Sequence, residues 1–192
     1  MANFNAPANI AETVMSTVGV KKCQLSFVKV MLLGILAGAF IAFGAELATR
    51  IMANVQDPGL AMVLGGAVFS VGLMLVVIGG SELFTGNNMF MMVGALEGTT
   101  TWRSLWKNWA VVWVTNLVGA LILVMIVYGA FYATGDGAGL FKGGIGAKAL
   151  AVAKAKVELN FWAALLRGIL CNWLVCMAVW LALASKDVIG KI

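Results

Sequence analysis

GGSELFTGNN, at residues 79–88, is the stretch that decides the fold. It places a carboxylate, two hydroxyls, two side-chain amides and three glycines within a long apolar run. Lipid cannot hydrogen-bond exposed backbone, so a helix that breaks at membrane depth is stable only where protein surrounds it or where it lines a wet cavity. Broken helices of this kind are typical of transport sites. We therefore expect residues 81–88 to fold inward, away from acyl chains, beside a route for ions.

The composition predicts an all-α integral membrane protein. Hydrophobic residues make up 62% of the 192 residues and charged residues only 11%, with a mean hydropathy of +0.99, whereas soluble domains are about 25% charged. Apolar stretches occupy residues 27–47, 60–79 continuing through 89–96, 109–132 and 161–184. Each is near the ~20 residues that a spanning helix needs. Four crossings are predicted, the second of them broken.

The basic residues predict the orientation of these crossings. They precede the first crossing and follow the second and the fourth: Lys21, Lys22, Lys29, Arg103, Lys107, Lys186 and Lys191. The other side holds Arg50, Lys142, Lys148, Lys154 and Lys156. The positive-inside bias then places both ends in the cytoplasm, so we expect a multi-pass protein of the cell inner membrane. The net charge of +5, without an arginine-rich segment, gives no indication of nucleic-acid binding.

The first 24 residues are predicted to form a cytoplasmic amphipathic segment ahead of a transmembrane domain at residues 25–192. Pro7 can open a short helix, Ile10, Val14 and Val18 share one face, and Gly19 can close the helix. Such a helix is expected to lie along the membrane surface.

An internal similarity concerns the first and fourth crossings. Phe27 lies seven residues before a Gly-Ile-Leu sequence at 34–36. Phe161 likewise lies seven residues before a Gly-Ile-Leu sequence at 168–170. The two helices would enter from opposite sides, which is the pattern of an inverted-topology transporter repeat. Chance matching between leucine-rich helices is the alternative.

Two other classes of protein make different demands on the sequence. A membrane-embedded enzyme would need a nucleophile with a base, or a metal cluster, and this chain has no histidine and no paired carboxylates at helical spacing. Cys23, Cys171 and Cys176 have neither metal-like nor disulfide-like spacing, so buried free thiols are expected, with no metal and no cofactor. A structural scaffold could use small-residue faces such as Gly34 with Gly38, but it would not need the polar break.

Several ordered motifs resemble the formate/nitrite transporter family: GGAVFSVGL at 65–73, GGSELFTGNNMF at 79–90, KNW at 107–109, NLVGA at 116–120 and GILCNWLVCMAVW at 168–180. SELFTG and CNWLVC look most like its nitrite-channel branch. The resemblance implies an aquaporin-like inverted-repeat bundle, and a homopentamer in membrane lipid with an anion pore in each subunit. It implies transport of nitrite, with formate and hydrosulfide as the family's other substrates.

The sequence also departs from this family. Members carry a central histidine in a broken fifth helix, whereas this chain contains no histidine and ends after its fourth predicted crossing. The resemblance therefore covers about the first four of six helices. We expect the chain to be either a fragment of a natural member or a shortened form of one, with an incomplete channel domain.

The resemblance implies roles for particular residues. A pore constriction would be formed by Phe69, Leu73, Leu83, Phe84 and Val175, for which ordinary helix packing is the alternative. Substrate would be handled by Thr85, Lys156 and Asn172. Lys156 would lie at the outer vestibule with Asn172 facing it, or would simply extend to water.

The remaining predicted residues belong to the break itself. Glu82, Gly86 and Asn87 are expected to give the loop its structure. An ionised carboxylate at this depth is costly, so Glu82 is expected to accept loop N–H bonds or to be turned away from the pore. Direct handling of protons or substrate by Glu82 is the alternative.

Overall fold

The computed structural model describes residues 4–131 and 144–192, which are almost entirely helical. In chain order the elements are α1 (Pro7–Thr13), a π-helical turn (Val14–Val18), α2 (Gly19–Gln24), α3 (Phe27–Asn54), α4 (Pro58–Gly79), α5 (Phe84–Leu96), α6 (Trp102–Phe131), α7 (Gly144–Val157), α8 (Phe161–Ala184) and a 3-10 turn (Ile189–Lys191). Four of them, α3, α4, α6 and α8, are long and apolar enough to cross a membrane, which confirms the predicted number of crossings. Residue 132, the last of the third predicted apolar stretch, and Lys142 lie outside the described residues.

Helix α3 lies at the centre and packs against α4, α6 and α7. Its contact with α6 is so close that a β-carbon on Gly38 would overlap the backbone of Asn116, and one on Gly119 would overlap the backbone of Ile35. Helices in lipid associate through van der Waals contact and hydrogen bonds, which small residues permit by letting backbones approach. The glycines of α3 and α6 therefore fix the position of Asn116 relative to α3.

The predicted break is present, and it is shorter than expected. Helix α4 ends at Gly79, and Gly80 has a φ of +79°, a left-handed conformation that glycine adopts without steric cost. The N–H groups of Gly80 and Ser81 both donate to the carbonyl of Val76 (3.0 and 3.1 Å). Only residues 80–83 are non-helical, because α5 already begins at Phe84.

Gly86 and Asn87 are consequently not loop residues, and that part of the prediction is wrong. Both lie in the first turns of α5 and are buried. The helix can begin early because the Phe84 N–H donates to Oδ1 of Asn116 (2.9 Å), a cap supplied by α6. No local side chain caps α5.

The N-terminal segment packs into the protein. Ile10 and Val14, only 2% and 1% exposed, contact Phe90 of α5 and Val179 of α8. The predicted apolar face is therefore confirmed, but it is covered by protein. Gly19 does not end the helix, because its backbone is helical and α2 continues to Gln24.

Candidate functional site

Asn116 of α6 holds the break in place. Its side-chain Nδ2 donates to the carbonyls of Gly34 (2.8 Å) and Glu82 (2.9 Å), and its Oδ1 accepts from the Phe84 N–H. The Glu82 N–H in turn donates to the carbonyl of Leu33 in α3 (3.2 Å). One amide thus connects three parts of the chain and satisfies backbone groups that lipid could not.

A buried polar group, the Glu82 cluster, consists of Lys22, Glu82, Asn87 and Asn108. Lys22 Nζ lies 2.7 Å from Glu82 Oε1, and their side chains are only 12% and 6% exposed. Asn87 Nδ2 donates to Glu82 Oε2 and to Asn108 Oδ1, both at 2.8 Å. Glu82 was expected to accept loop N–H bonds or to be turned away from the pore, and its carboxylate accepts instead from the side chains of Lys22 and Asn87. Its charge is neutralised by a lysine of the N-terminal segment.

A different face of α5 meets α8 through a second polar group, the Thr85 face, made of Thr85, Asn88, Asn172 and Cys176. Asn88 Nδ2 donates to Asn172 Oδ1 (2.9 Å), and the Cys176 thiol lies 3.5 Å from the carbonyl oxygen of Thr85. Within residues 4–131 and 144–192, the buried Thr85 Oγ1 and Asn88 Oδ1 have no hydrogen-bond partner. The described protein groups thus leave these two oxygens of the face unsatisfied.

Two cavities lie beside the Thr85 face. A cavity of about 230 Å³ is lined by Lys22, Glu82, Leu83, Gly86 and Val179, among others. A more open one of about 570 Å³ is lined by Asn88, Leu165, Gly168, Ile169, Asn172 and Trp173. Along α8, Cys176 lies between the residues that line the open cavity, at 165–173, and those that line the smaller one, at 179–183. On α8 the two cavities therefore lie on either side of Cys176, whereas on α5 their lining residues alternate.

The predicted constriction residues are only partly brought together. Leu83 lines the smaller cavity, and Val175 packs against the core formed by the N-terminal segment, α5 and α8. The Phe84 ring packs edge-on against Trp109, with 6.2 Å between centroids. Phe69 and Leu73 lie on α4, which packs against α3, and neither lines the two cavities. The constriction stays a prediction.

The predicted substrate residues are also divided. Thr85 and Asn172 share the Thr85 face, whereas Lys156 is exposed on α7, a helix that packs against α3. The side-chain hydrogen bonds of Asn172 go to Asn88 and Cys176. The expected pairing across a vestibule between Lys156 and Asn172 is not formed as a hydrogen bond.

The sequence predictions missed Asn88, Asn108 and Asn116. A sequence signal for them exists, since amides inside apolar spanning segments are rare and usually bonded or functional.

The cysteines were also predicted wrongly as buried, because Cys23 and Cys171 are exposed and Cys176 is half-buried. The described parts of α8 contact mainly α5 and α1, which leaves most of that helix uncovered.

Four apolar helices and a protein-sheltered break flanked by cavities define a multi-pass membrane transport protein. The chain belongs to the formate/nitrite transporter family, whose sequence profile, described as "Formate/nitrite transporter", matches residues 8–192. The family resemblance predicted from the motifs is thereby confirmed. Its members are transporters and channels, so the prediction that the protein is not an enzyme holds.

Individual relatives support the same assignment. The chain is 43% identical over 206 residues to the probable formate transporter of Methanothermobacter thermautotrophicus, covering 100% of this chain and 74% of that protein. It is 35% identical over 153 residues to the nitrite transporter of Salmonella typhimurium, covering 79% and 53%. A solved pentameric formate channel with formate bound superposes with a TM-score of 0.72 at 35% identity, covering 86% of this chain and 63% of that one.

Proposed function

We propose that the protein is a channel for small monovalent anions, with one pore through each subunit of a homopentamer. The observation that supports this most directly is the buried hydroxyl of Thr85, which has no partner among the described residues and can donate to an anion, at a face with two cavities beside it. The similar solved structure is described as a pentameric formate channel with formate bound, which is the basis for the pentamer and for the substrate class.

The mechanism follows from the cost of removing water from an ion. An anion loses its hydration shell on entering a dry apolar segment, whereas the neutral acid loses far less. Lys156 draws the anion toward the entrance, because an ammonium raises the local anion concentration. The hydroxyl of Thr85 and the amide of Asn172 replace part of the lost water. Leu83 and Phe84 exclude the remaining water, together with the other predicted constriction residues.

The particular anion is proposed from the relatives. Formate is the first candidate, since the relative matched over the whole chain is named a probable formate transporter. Nitrite is the second candidate, as predicted from SELFTG and CNWLVC, because a nitrite transporter is also among the relatives. Both are small, bent, monovalent anions that would accept hydrogen bonds from the same donors.

Both ends of the chain are proposed to lie in the cytoplasm, with residues 1–24 as an N-terminal segment and residues 25–192 as the channel domain. Phe4 forms an isolated antiparallel bridge with Ser185, and the Asn5 N–H donates to the carbonyl of Ala184 (2.8 Å). The two ends thus lie on the same side. The lysines on that side favour the cytoplasm, and the membrane we propose is the cell inner membrane. Labelling of a cysteine placed at position 2 in intact and opened cells tests this orientation.

Flux through proteoliposomes tests the function. The protein is reconstituted, and efflux of formate and of nitrite is followed under identical gradients. Thr85→Val, which replaces only the hydroxyl, is expected to lower the efflux rate of the preferred anion about tenfold, because roughly one hydrogen bond to a charged group is lost. Thr49→Val is the matched control, because the Thr49 hydroxyl donates to Ala45 of its own helix. Equal flux in both variants would remove Thr85 from the pore.

A further inference from the structure

A third cavity lies at the end of the bundle that carries the N-terminal segment. It has a volume of about 80 Å³ and is formed where α2 and the first turn of α3 meet α6. Four of its lining residues are apolar and four carry hydrogen-bond donors: Leu25, Phe27, Val30 and Val111, and Lys22, Ser104, Lys107 and Asn108. None of these lining residues has a carboxylate. We call this space the basic cavity.

Asn108 supplies a buried donor to the basic cavity. The residue is only 8% exposed, and its Oδ1 accepts from Asn87 Nδ2 in the Glu82 cluster (2.8 Å). Its own Nδ2 has no hydrogen-bond partner within residues 4–131 and 144–192. Since Oδ1 is used on the side of the Glu82 cluster, Nδ2 is the polar atom that Asn108 offers to the cavity. A buried donor without an acceptor destabilises a fold, so the arrangement favours an acceptor in this space.

The charge of the basic cavity matches a single negative charge. Lys22 Nζ is paired with Glu82 Oε1 (2.7 Å), so these two residues are neutral together. Lys107 is exposed at the rim and forms no ion pair with the described residues, which leaves one net positive charge. The N-terminus of α3 adds the positive end of a helix dipole, since Phe27 and Val30 of its first turn line the cavity.

We propose that the basic cavity binds one small monovalent oxyanion of the size of formate or nitrite. One oxygen accepts from Asn108 Nδ2 and the other from Lys107 Nζ, as charge-assisted hydrogen bonds. An ammonium has three N–H donors, so Lys22 donates to the anion while it stays bonded to Glu82. A doubly charged anion would exceed the positive charge available.

This site is separate from the Thr85 face. That face lies on α5 and α8, whereas the lining residues of the basic cavity come from α2, α3, α6 and the residue after α2. Binding in the basic cavity does not require that the anion cross the membrane, so it is tested without a flux measurement.

The reactivity of Cys23 reports whether the basic cavity is occupied. The Cys23 thiol lies beside the Ser104 side chain, which lines the cavity. A nearby anion disfavours the thiolate, the form that iodoacetamide alkylates. In purified protein with Cys171→Ala and Cys176→Ala, saturating sodium formate is expected to slow Cys23 alkylation about threefold. The comparison is sodium gluconate at the same ionic strength, because gluconate is too large for the cavity.

Two substitutions locate the effect. Lys107→Met is expected to raise the formate concentration for half-maximal protection about tenfold, because it removes one charged donor. Lys29→Met is the matched control, since Lys29 is exposed near the start of α3 but does not line the cavity, and a change below about twofold is expected. Asn108→Asp keeps the acceptor for Asn87, replaces the free donor by a carboxylate oxygen, and is expected to abolish protection.

The same assay contains the results that would contradict the site. Equal alkylation rates in formate and gluconate would overturn the inference, as would equal protection in Lys107→Met and the wild type. Stronger protection by inorganic phosphate than by formate would exclude a monovalent site. Thr85→Val is expected to keep full protection, and loss of protection in that variant would assign the effect to the Thr85 face. Where Asn108→Asp does not elute as wild type, Val111→Phe, which fills the cavity, takes its place.

Discussion

Replacing the amide side chain of Asn116 should loosen the break. Asn116→Leu keeps a similar volume but removes three hydrogen bonds, to the carbonyls of Gly34 and Glu82 and from the N–H of Phe84. Each bond contributes about 1 kcal/mol net, and an unsatisfied buried N–H at Phe84 costs about 1–3 kcal/mol. The sum predicts a loss of about 4–6 kcal/mol in the free energy of unfolding.

The measurement is an unfolding titration with sodium dodecyl sulfate in mixed micelles, followed by the fluorescence of the seven tryptophans. Asn54→Leu is the matched control, because the Asn54 amide is exposed and donates only to the carbonyl of Arg50 in its own helix. That control is expected to lose less than about 0.5 kcal/mol. A loss below about 1 kcal/mol for Asn116→Leu would show that other contacts hold residues 80–84, and the assignment of Asn116 as the clamp would be wrong.

Three other predictions concern separate features. Lys22→Met should cost about 3–5 kcal/mol of unfolding free energy, because it leaves a buried carboxylate unpaired; adding Glu82→Gln should restore most of it in the same titration. Gly38→Val should destabilise by about 3 kcal/mol or abolish folded protein, since α6 backbone fills that space, whereas Gly66→Val, with no atom within 4 Å of a built β-carbon, should be near neutral. Cys23 is exposed, but partial desolvation by its neighbours raises the pKa of its thiol, so less thiolate is present near neutral pH. In a variant without the other two cysteines, its alkylation by iodoacetamide should be slower than that of a free thiol and should keep accelerating with pH above the usual thiol range.

The break could be predicted from sequence, but its length could not. Polar residues and glycines concentrated in an apolar run indicate an interruption, and Gly80 at the end of α4 is a local signal of a left-handed residue. The start of α5 depends instead on the amide of Asn116, which is 32 positions further along the chain. No local pattern contains that cap, so Gly86 and Asn87 were assigned to a loop.

The same distinction applies to the N-terminal segment. Periodicity identified the face that carries Ile10 and Val14, because apolar spacing reports which side of a helix avoids water. It does not report whether lipid or protein covers that side. In this structure protein covers it, since Val179 of α8 packs there. Likewise, the position of Lys22 predicted an orientation in the membrane, but its pairing with Glu82 is a contact between residues 60 positions apart.

The distribution of polar atoms around α5 distinguishes a channel from a scaffold. At the Glu82 cluster both carboxylate oxygens are bonded, whereas Thr85 Oγ1 and Asn88 Oδ1 are buried without a partner among the described residues. An unsatisfied buried polar atom costs about 1–3 kcal/mol. A scaffold would gain stability by replacing Thr85 with valine, so its presence favours a role in binding. Thr85→Val is therefore expected to leave unfolding free energy unchanged or higher while anion flux falls, and a loss of stability with unchanged flux would favour the scaffold.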